Sequence, residues 1–548
     1  MPRLTLPTLF AAAALFAATS HAALPTPDPD NGAIKLPPGF RAIVVADNLG
    51  EMRFLAVSSR GDVYVKSKTG GIIALRDTNG DGRAEIKTSF GAGGGSGILF
   101  HDGWLYHSSN SAVYRYKMNP GELVPAGEQE TIVSGLPQGP QHETKSFAFD
   151  DEGRMLVEVG SPSNSLGEPD RQEGAKGQDA TEFLKTHGGF WRFDPNKPNQ
   201  TLADGYHYTT GHRHMMALIW NPVSKAFFAC MNGRDQLHTV DPAHYSDDDN
   251  AELPAEEFHI LREGANYGWP YTYWDPMQKA RMVAPEYGGD RMKRAEPGKY
   301  QDPLIAFPAH WAPLEMVRYD GTQFPEKYRG GAFIAFHGSW NRAPKPQKGY
   351  NVTFVPFDDK GMPTGSYEVF ADGFAGRDEF TAPRDARFRP GGVAVGPDGS
   401  LYVSDTEKGR VWRIFYTGEE KAAAAAALPA GAAPAAAKPA ENAAGANVYK
   451  QTCAVCHMVD GSGVPGMQPA LDKSTVLTGD PGRLVRLLLL GAAKALPASR
   501  PHYSNAMPTF EVLKDQEIAD VLNYARTAFG KRPSAITAAQ VAAIRAKP

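Results

Sequence analysis

The chain has 548 residues, enough for more than one domain with its own core. A formal charge of −4 gives no electrostatic reason to expect nucleic acid or an anionic membrane surface as partner, and small neutral molecules fit better. With 57 glycines, 44 prolines and no long amphipathic pattern before the C-terminal region, the composition points to short strands and many turns.

The N-terminus carries Arg3, an apolar run from Leu4 to Ala18, and a small-x-small pattern at Ser20-His21-Ala22 before Ala23. Residues 1–22 therefore read as a cleaved export signal, which predicts a periplasmic protein. The run is short for a membrane span, and no later segment is apolar enough to cross a bilayer. After a Pro-rich stretch from Pro25 to Pro38, Phe40 to Ala46 reads as a strand.

A pattern then recurs: an apolar strand, a Gly-bearing turn, a second strand, and a third rich in Val, Tyr or Arg. It starts at Phe54, Gly97, Ser146, Ala217, Glu315 and Gly392. Six copies of a sheet-forming unit predict an all-β six-bladed β-propeller over residues 23–418, with a two-sheet sandwich as the alternative. Copies three to five carry long insertions, of the kind that build a binding face.

Within the first copy, Asp77, Asn79 and Asp81 place oxygen ligands on alternate residues, as in a calcium loop. The glutamate wanted at the twelfth position is replaced by Thr88, so a turn without metal is an equal reading. Cys230, in an apolar run, reads as a small core residue, and no intrachain structural disulfide is expected from three cysteines.

Past Tyr416 an Ala/Pro stretch, residues 419–445, reads as a linker that keeps the last domain at high effective concentration. That domain, residues 446–548, holds Cys453-Ala454-Val455-Cys456-His457. In C-x-x-C-H the two thiols attach a haem c covalently and His457 turns its imidazole to the iron. A bare C-x-x-C also serves zinc or thiol-redox sites, but the further ligands or βαβ context those need are absent. Met507 is the predicted sixth ligand, with His502 as rival; Met458 and Met467 lie too near the attachment site. Helices are predicted from Asp480-Pro481 to Gly491, and over Ile518, Val521, Leu522, Ala525 and Phe529, closed by Gly530. Lys514, where a serine-type cap is usual, weakens the start of the second. From Ala446 to Gly530 the segment resembles a class I cytochrome c domain, a small all-α fold, in CAVCH, the Gly461–Gly466 run, Pro469-Ala470-Leu471 and Met507-Pro508-Thr509-Phe510.

A haem needs an electron source, and no G-x-G-x-x-G opens a βαβ unit for nicotinamide or flavin. From Phe40 to Tyr416 the chain resembles the pyrroloquinoline quinone (PQQ)-dependent soluble sugar dehydrogenases, especially their sorbosone, aldose and pyranose dehydrogenase-like branches. The resemblance rests on Gln141-His142-Glu143, Val159–Asn164, Gly211-His212-Arg213-His214, Asn232-Gly233-Arg234-Asp235, Gly264–Pro270, His337–Arg342 and Arg387-Phe388-Arg389. It implies His142 as general base, Arg213 on the quinone oxygens, and Arg387 and Arg389 on the PQQ carboxylates, with Arg342 and Trp340 adding charge and stacking. It also implies backbone carbonyls of Gly233 and Arg234 as Ca²⁺ ligands. Two positions depart from the soluble glucose enzymes. Ser161 replaces an aspartate that partners the base, with Glu143 as a substitute partner, and His214 replaces an asparagine. The expected function is oxidation of an aldose or related sugar, with electrons passing through the haem to a respiratory acceptor. The alternatives are a calcium-dependent lactonase-type hydrolase and a haem-bearing binding module.

Overall fold

The computed structural model describes residues 24–418 and, C-terminal to them, 443–453, 457, 461, 469–471, 474–497, 507, 509–511, 513–531 and 536–546. The export signal, nearly all of the linker, Cys456 and His502 lie outside the described residues. The chain divides into two compact units.

The first unit is a propeller of six four-stranded antiparallel blades. Blade 1 comprises Met52–Val57, Val63–Ser67, Ile72–Arg76 and Ile86–Phe90, and blade 2 comprises Ile98–His101, Trp104–Ser108, Val113–Lys117 and Glu130–Val133. Blade 3 is built from Phe147–Phe149, Met155–Val159, Gly189–Phe193 and Tyr206–Thr210, and blade 4 from Ala217–Asn221, Ala226–Met231, Glu256–Leu261 and Ile305–Phe307. Blade 5 consists of Pro313–Arg318, Ala332–Phe336, Asn351–Val355 and Glu368–Ala371. All six repeats read from the sequence are blades. Each has one strand more than the three the repeat pattern shows, because the outermost strand lacks a regular burial pattern, as in Ile86–Phe90.

Blade 6 takes Pro390–Val395, Leu401–Asp405 and Val411–Tyr416 from the end of the repeats, and its outer strand, Phe40–Ala46, from the beginning. Phe40 pairs with Tyr416 and Ala46 with Val411, so the ring is closed by hydrogen bonds between its two ends. Second strands such as Val63–Ser67, Met155–Val159 and Ala332–Phe336 are buried at every residue, because each blade packs a neighbour on both faces. Cys230, in blade 4, is 0% exposed in the core between blades 4 and 5, as expected of a small apolar filler.

First strands of successive blades pack against one another around the axis. Antiparallel pairing puts the residues leading into each first strand and those leaving each second strand at the same end. That end gathers Arg53, His142, Arg213, His310 and Arg389 before or at first strands with Lys66, Ser161, Gly233 and His337 at or after second strands. The insertions expected in copies three to five include the hairpins Gly167–Glu168/Lys176–Gly177 and Thr272–Asp275/Ala280–Val283 and the helix Asp247–Glu252.

The second unit is helical among its described residues: Ala443–Val448, Pro481–Ala495, Asp515–Ala528 and Ala538–Arg545. Asp480 caps the second helix by accepting from the Arg483 N–H at 2.8 Å, and Gly491 breaks it at φ +73°, where the sequence predicts a stop, before a last turn to Ala495. Ile518, Val521, Leu522 and Ala525 are buried on one face of the third helix. Its start is firmer than Lys514 suggests, because the Glu517 carboxylate reaches back to accept the Lys514 backbone N–H at 2.8 Å. Among the described residues no helix is long and apolar enough to cross a membrane.

Candidate functional site

His142 lies in the segment leading into the first strand of blade 3, at φ +50°, a backbone conformation rare for residues other than glycine. Its Nδ1 is 2.6 Å from the Ser161 carbonyl oxygen. A carbonyl only accepts, so Nδ1 carries the proton and the lone pair sits on Nε2, the form a general base requires. Ser161 thus supplies a main-chain acceptor where the soluble glucose enzymes use a carboxylate. Glu143 does not take that role; its contribution is a backbone carbonyl that accepts from the Lys145 ammonium. Burial, then the electrostatic influence of Arg213 and of the His214 ring, pushes the pKa of His142 well below its ordinary value.

Arg213 is buried and donates to Asp235 at 2.5 Å and to the Gly233 carbonyl at 3.0 Å. Asp235 also accepts from Arg171 at 3.1 Å, so one carboxylate spans two guanidinium groups beside the base. Across the same end, Arg389 donates to the His337 carbonyl at 3.1 Å and its Nδ1 at 2.7 Å, to Gly338 at 2.8 Å, and to Glu407 at 3.1 Å. Arg53, in the first strand of blade 1, has a buried Nε without a hydrogen-bond partner among the described residues. Burial lowers the proton affinity of Arg53, Arg213 and Arg389 alike. Arg53 and Arg213, desolvated and each with a buried Nε–H unspent among the described residues, suit a planar, multiply anionic ligand, so these residues fit PQQ, with Arg389 adding positive charge at the same end.

Other predicted residues are placed differently. Arg387 is exposed, its guanidinium 5.3 Å from the centre of the Phe388 ring, and does not join the Arg389 cluster. Arg342 is buried and spends its donors on Ala251, Pro346 and Glu252, where it fastens the helix Asp247–Glu252. Trp340 is half exposed. The Arg234 side chain is buried in an ion pair with Glu286. The Gly233 carbonyl accepts from Arg213, which leaves one of its two lone pairs for a Ca²⁺.

In the Asp77 loop, Asp77 accepts from the N–H groups of Asn79, Gly80 and Gly82, and Asp81 from that of Arg83. Carboxylate oxygens of Asp77, Asp81 and Glu85 lie within 4.8 Å of one another, all exposed. Glu85, absent from the sequence-based ligand set, also closes the loop onto Thr78 and Asn79.

Sequence reasoning passed over Arg53, Lys66, Glu158, Arg171 and Asp235. The available signal was a charge inside an apolar strand: Arg53 in Met52–Val57, Lys66 in Val63–Ser67 and Glu158 in Met155–Val159. Lys66 is 0% exposed, donates to Gly93 at 2.7 Å, and is pushed down to about 8 by burial. Its folded pKa lies below the unfolded value, so the burial penalty is full below pH 8 and fades between there and 10.5, where the folded state gives up its proton first. Lys66→Met should therefore stabilise the protein by about 1–3 kcal/mol at pH 7, and by progressively less above pH ~8, read from urea midpoints.

In the helical unit His457 is 3.1 Å through Nδ1 from the Pro469 carbonyl oxygen, which fixes the tautomer and leaves Nε2 for a metal. Cys453 and Met507 both pack against the buried cluster of Leu484, Leu488 and Leu522. These residues fit a covalently bound haem. Met507→Ala should shift the haem absorption spectrum and lower its reduction potential; an unchanged spectrum would point to His502.

Residues 34–417 match the family profile described as TrAA12-like, and residues 442–529 match that of cytochrome c. A pyrroloquinoline quinone-dependent pyranose dehydrogenase of Coprinopsis cinerea is 24% identical over 421 residues, 69% of this chain and 54% of that one. The cytochrome c subunit of a quinone alcohol dehydrogenase from Gluconobacter oxydans is 39% identical over 111 residues, 20% of this chain and 23% of that one. The chain thus spans about half or less of these relatives' length. Among solved structures, the calcium form of a Trichoderma reesei carbohydrate-active enzyme of family AA12 superposes with TM-score 0.57 at 20% identity, covering 72% of this chain and 99% of that one. The holo form of the Coprinopsis cinerea pyranose dehydrogenase PQQ domain does so at 0.55 and 20%, covering 70% and 97%. These likenesses establish the propeller fold, and the cytochrome c match implies haem. Over most of its length, residues 34–417, the chain belongs to the TrAA12-like family, and a cytochrome c domain follows.

Proposed function

We propose that the chain is a periplasmic quinohaemoprotein dehydrogenase that oxidises an aldose or related pyranose, with electrons leaving through its own haem to a respiratory acceptor. The observation that carries this is His142: an imidazole with Nε2 unprotonated, oriented by a main-chain carbonyl, beside desolvated arginines, on the same chain as a haem-attachment motif. The dehydrogenase names of the propeller relatives support it.

PQQ, when bound, supplies the acceptor for the two electrons that leave the substrate carbon. His142 removes the hydroxyl proton at Nε2. Arg213, pinned by Asp235, presents positive charge where negative charge develops, and Arg389 and Arg53 would hold the cofactor's carboxylates. A Ca²⁺ at the Gly233 and Arg234 carbonyls would add to that field. Reconstitution with PQQ and Ca²⁺ and a panel of aldoses, with haem absorbance as the readout, tests the reading. Sugar-dependent haem reduction is expected. Lactone hydrolysis without haem reduction would overturn it in favour of a hydrolase.

A further inference from the structure

The base described above lacks a carboxylate partner, and the positive charges of Arg213 and Arg171 disfavour its protonation. Taking a proton at Nε2 makes His142 one more cation in that group. Asp235 is committed to Arg213 and Arg171. One other buried carboxylate approaches from blade 3. Glu158 is 0% exposed in the strand Met155–Val159, and its Oε1 accepts from His214 Nδ1 at 3.0 Å and from the Met215 N–H at 3.2 Å. Its Oε2 is buried without a hydrogen-bond partner among the described residues, and the buried Lys145 ammonium lies within its electrostatic reach. His214, so held, sets its ring against that of His142, with centroids 5.0 Å apart and planes inclined at 37°.

Gly160 shows how closely the group is fitted. A Cβ there would lie 3.0 Å from both Glu158 Oε1 and His214 Nδ1 and 2.5 Å from the His142 carbonyl oxygen, so only glycine lets strand, dyad and base approach together. An acid placed mid-strand in a propeller core, with one oxygen spent on an imidazole and the other unspent, is costly unless nearby charge offsets it; the buried Lys145 ammonium offsets part, and the charge that arises on His142 in turnover would offset more.

Resting on the assignment of His142 as base, we propose that Glu158 and His214 form a second proton-handling dyad that serves it, Glu158 supplying the counter-charge and His214 presenting it to the base's ring. Both are positioning residues: neither needs to touch substrate. The dyad takes over the compensation that an aspartate gives elsewhere and the Ser161 carbonyl cannot, because a carbonyl orients the imidazole without neutralising it.

The test is the titration of His142 in the unloaded protein, followed by NMR with ¹⁵N-labelled histidine and assigned by the signal lost in His142→Ala. Glu158→Gln should lower the proton affinity of His142 about tenfold, one pH unit, with Glu158→Asp recovering part of it. His214→Asn, which takes away the ring that presents the Glu158 charge, should move the His142 midpoint in the same direction. In the reconstituted enzyme, Glu158→Gln should move the acid limb of the pH–rate profile downward by the same amount and lower the plateau; a merely structural role would lower the plateau alone. An unchanged His142 midpoint in both Glu158→Gln and His214→Asn overturns the dyad. Retained sugar-driven haem reduction in His142→Ala would instead overturn the assignment of the base, whatever the titrations show.

Discussion

His142→Ala should lower sugar-driven haem reduction by about 10²–10⁴-fold, the range a positioned general base contributes. Its Nδ1–H is committed to Ser161, so Nε2 is left as acceptor, and alanine removes that acceptor. Reduction of the haem by dithionite should proceed as in the wild type, because His457 and its Pro469 contact belong to the other compact unit. Stopped-flow absorbance at the haem band, with and without sugar, separates the two effects. Sugar-driven rates within threefold of wild type would remove His142 from the mechanism and leave its left-handed backbone without a functional reason. Burial makes His142 reluctant to hold a proton, so at neutral pH it is ready to accept one, and the wild-type rate should decline only in acid.

Much of the propeller is legible in the sequence because each blade is assembled from neighbouring strands, and the pairing of Leu401–Asp405 with Val411–Tyr416 needs only a short turn. The closure is not. Phe40 and Tyr416 pair across nearly the whole propeller, and nothing in the local pattern of Phe40–Ala46 distinguishes an outer strand of blade 6 from a strand preceding blade 1. The site shows the same division. His142, Arg213 and Gly233 stand out through short motifs, and antiparallel topology brings them to one end. Arg387 and Arg389 look equivalent as an R-x-R pair, yet Arg389 is tied to His337 and Arg387 lies exposed over Phe388. Arg342 carries the same charge as Arg213, but its donors are spent within the protein on Glu252 and two carbonyls. Which cation has capacity left for a ligand is a property of its partners, and partners distant in sequence are set by tertiary packing.

Closure also predicts where stability is concentrated. Phe40, 4% exposed, is ringed by Phe324, Phe370, Tyr416 and Tyr328, with centroids at 4.8, 4.9, 5.0 and 5.5 Å. The first, second and last of these come from blade 5 and its loop, and Tyr416 from blade 6, so one side chain joins the closing strand to two blades. Phe40→Ala should cost about 3–5 kcal/mol, since the ring's apolar surface and its edge-to-face contacts are lost and the surrounding aromatics cannot collapse into the space without breaking their own packing. A lower urea midpoint with an unchanged slope is expected, because the same surface is exposed on unfolding. Met292→Ala, at a residue 73% exposed, should change stability by no more than about 0.5 kcal/mol and serves as the control. Phe40 lies at the start of its strand beside the loop joining the first two strands of blade 5, the end of the ring opposite His142. Phe40→Ala should therefore leave the rate of sugar-driven haem reduction intact at temperatures where the variant is folded. A matching loss of rate would show that closure tension reaches the mouth; a loss below 1 kcal/mol would show that hydrogen bonding between Phe40–Ala46 and Val411–Tyr416, and not aromatic packing, seals the ring.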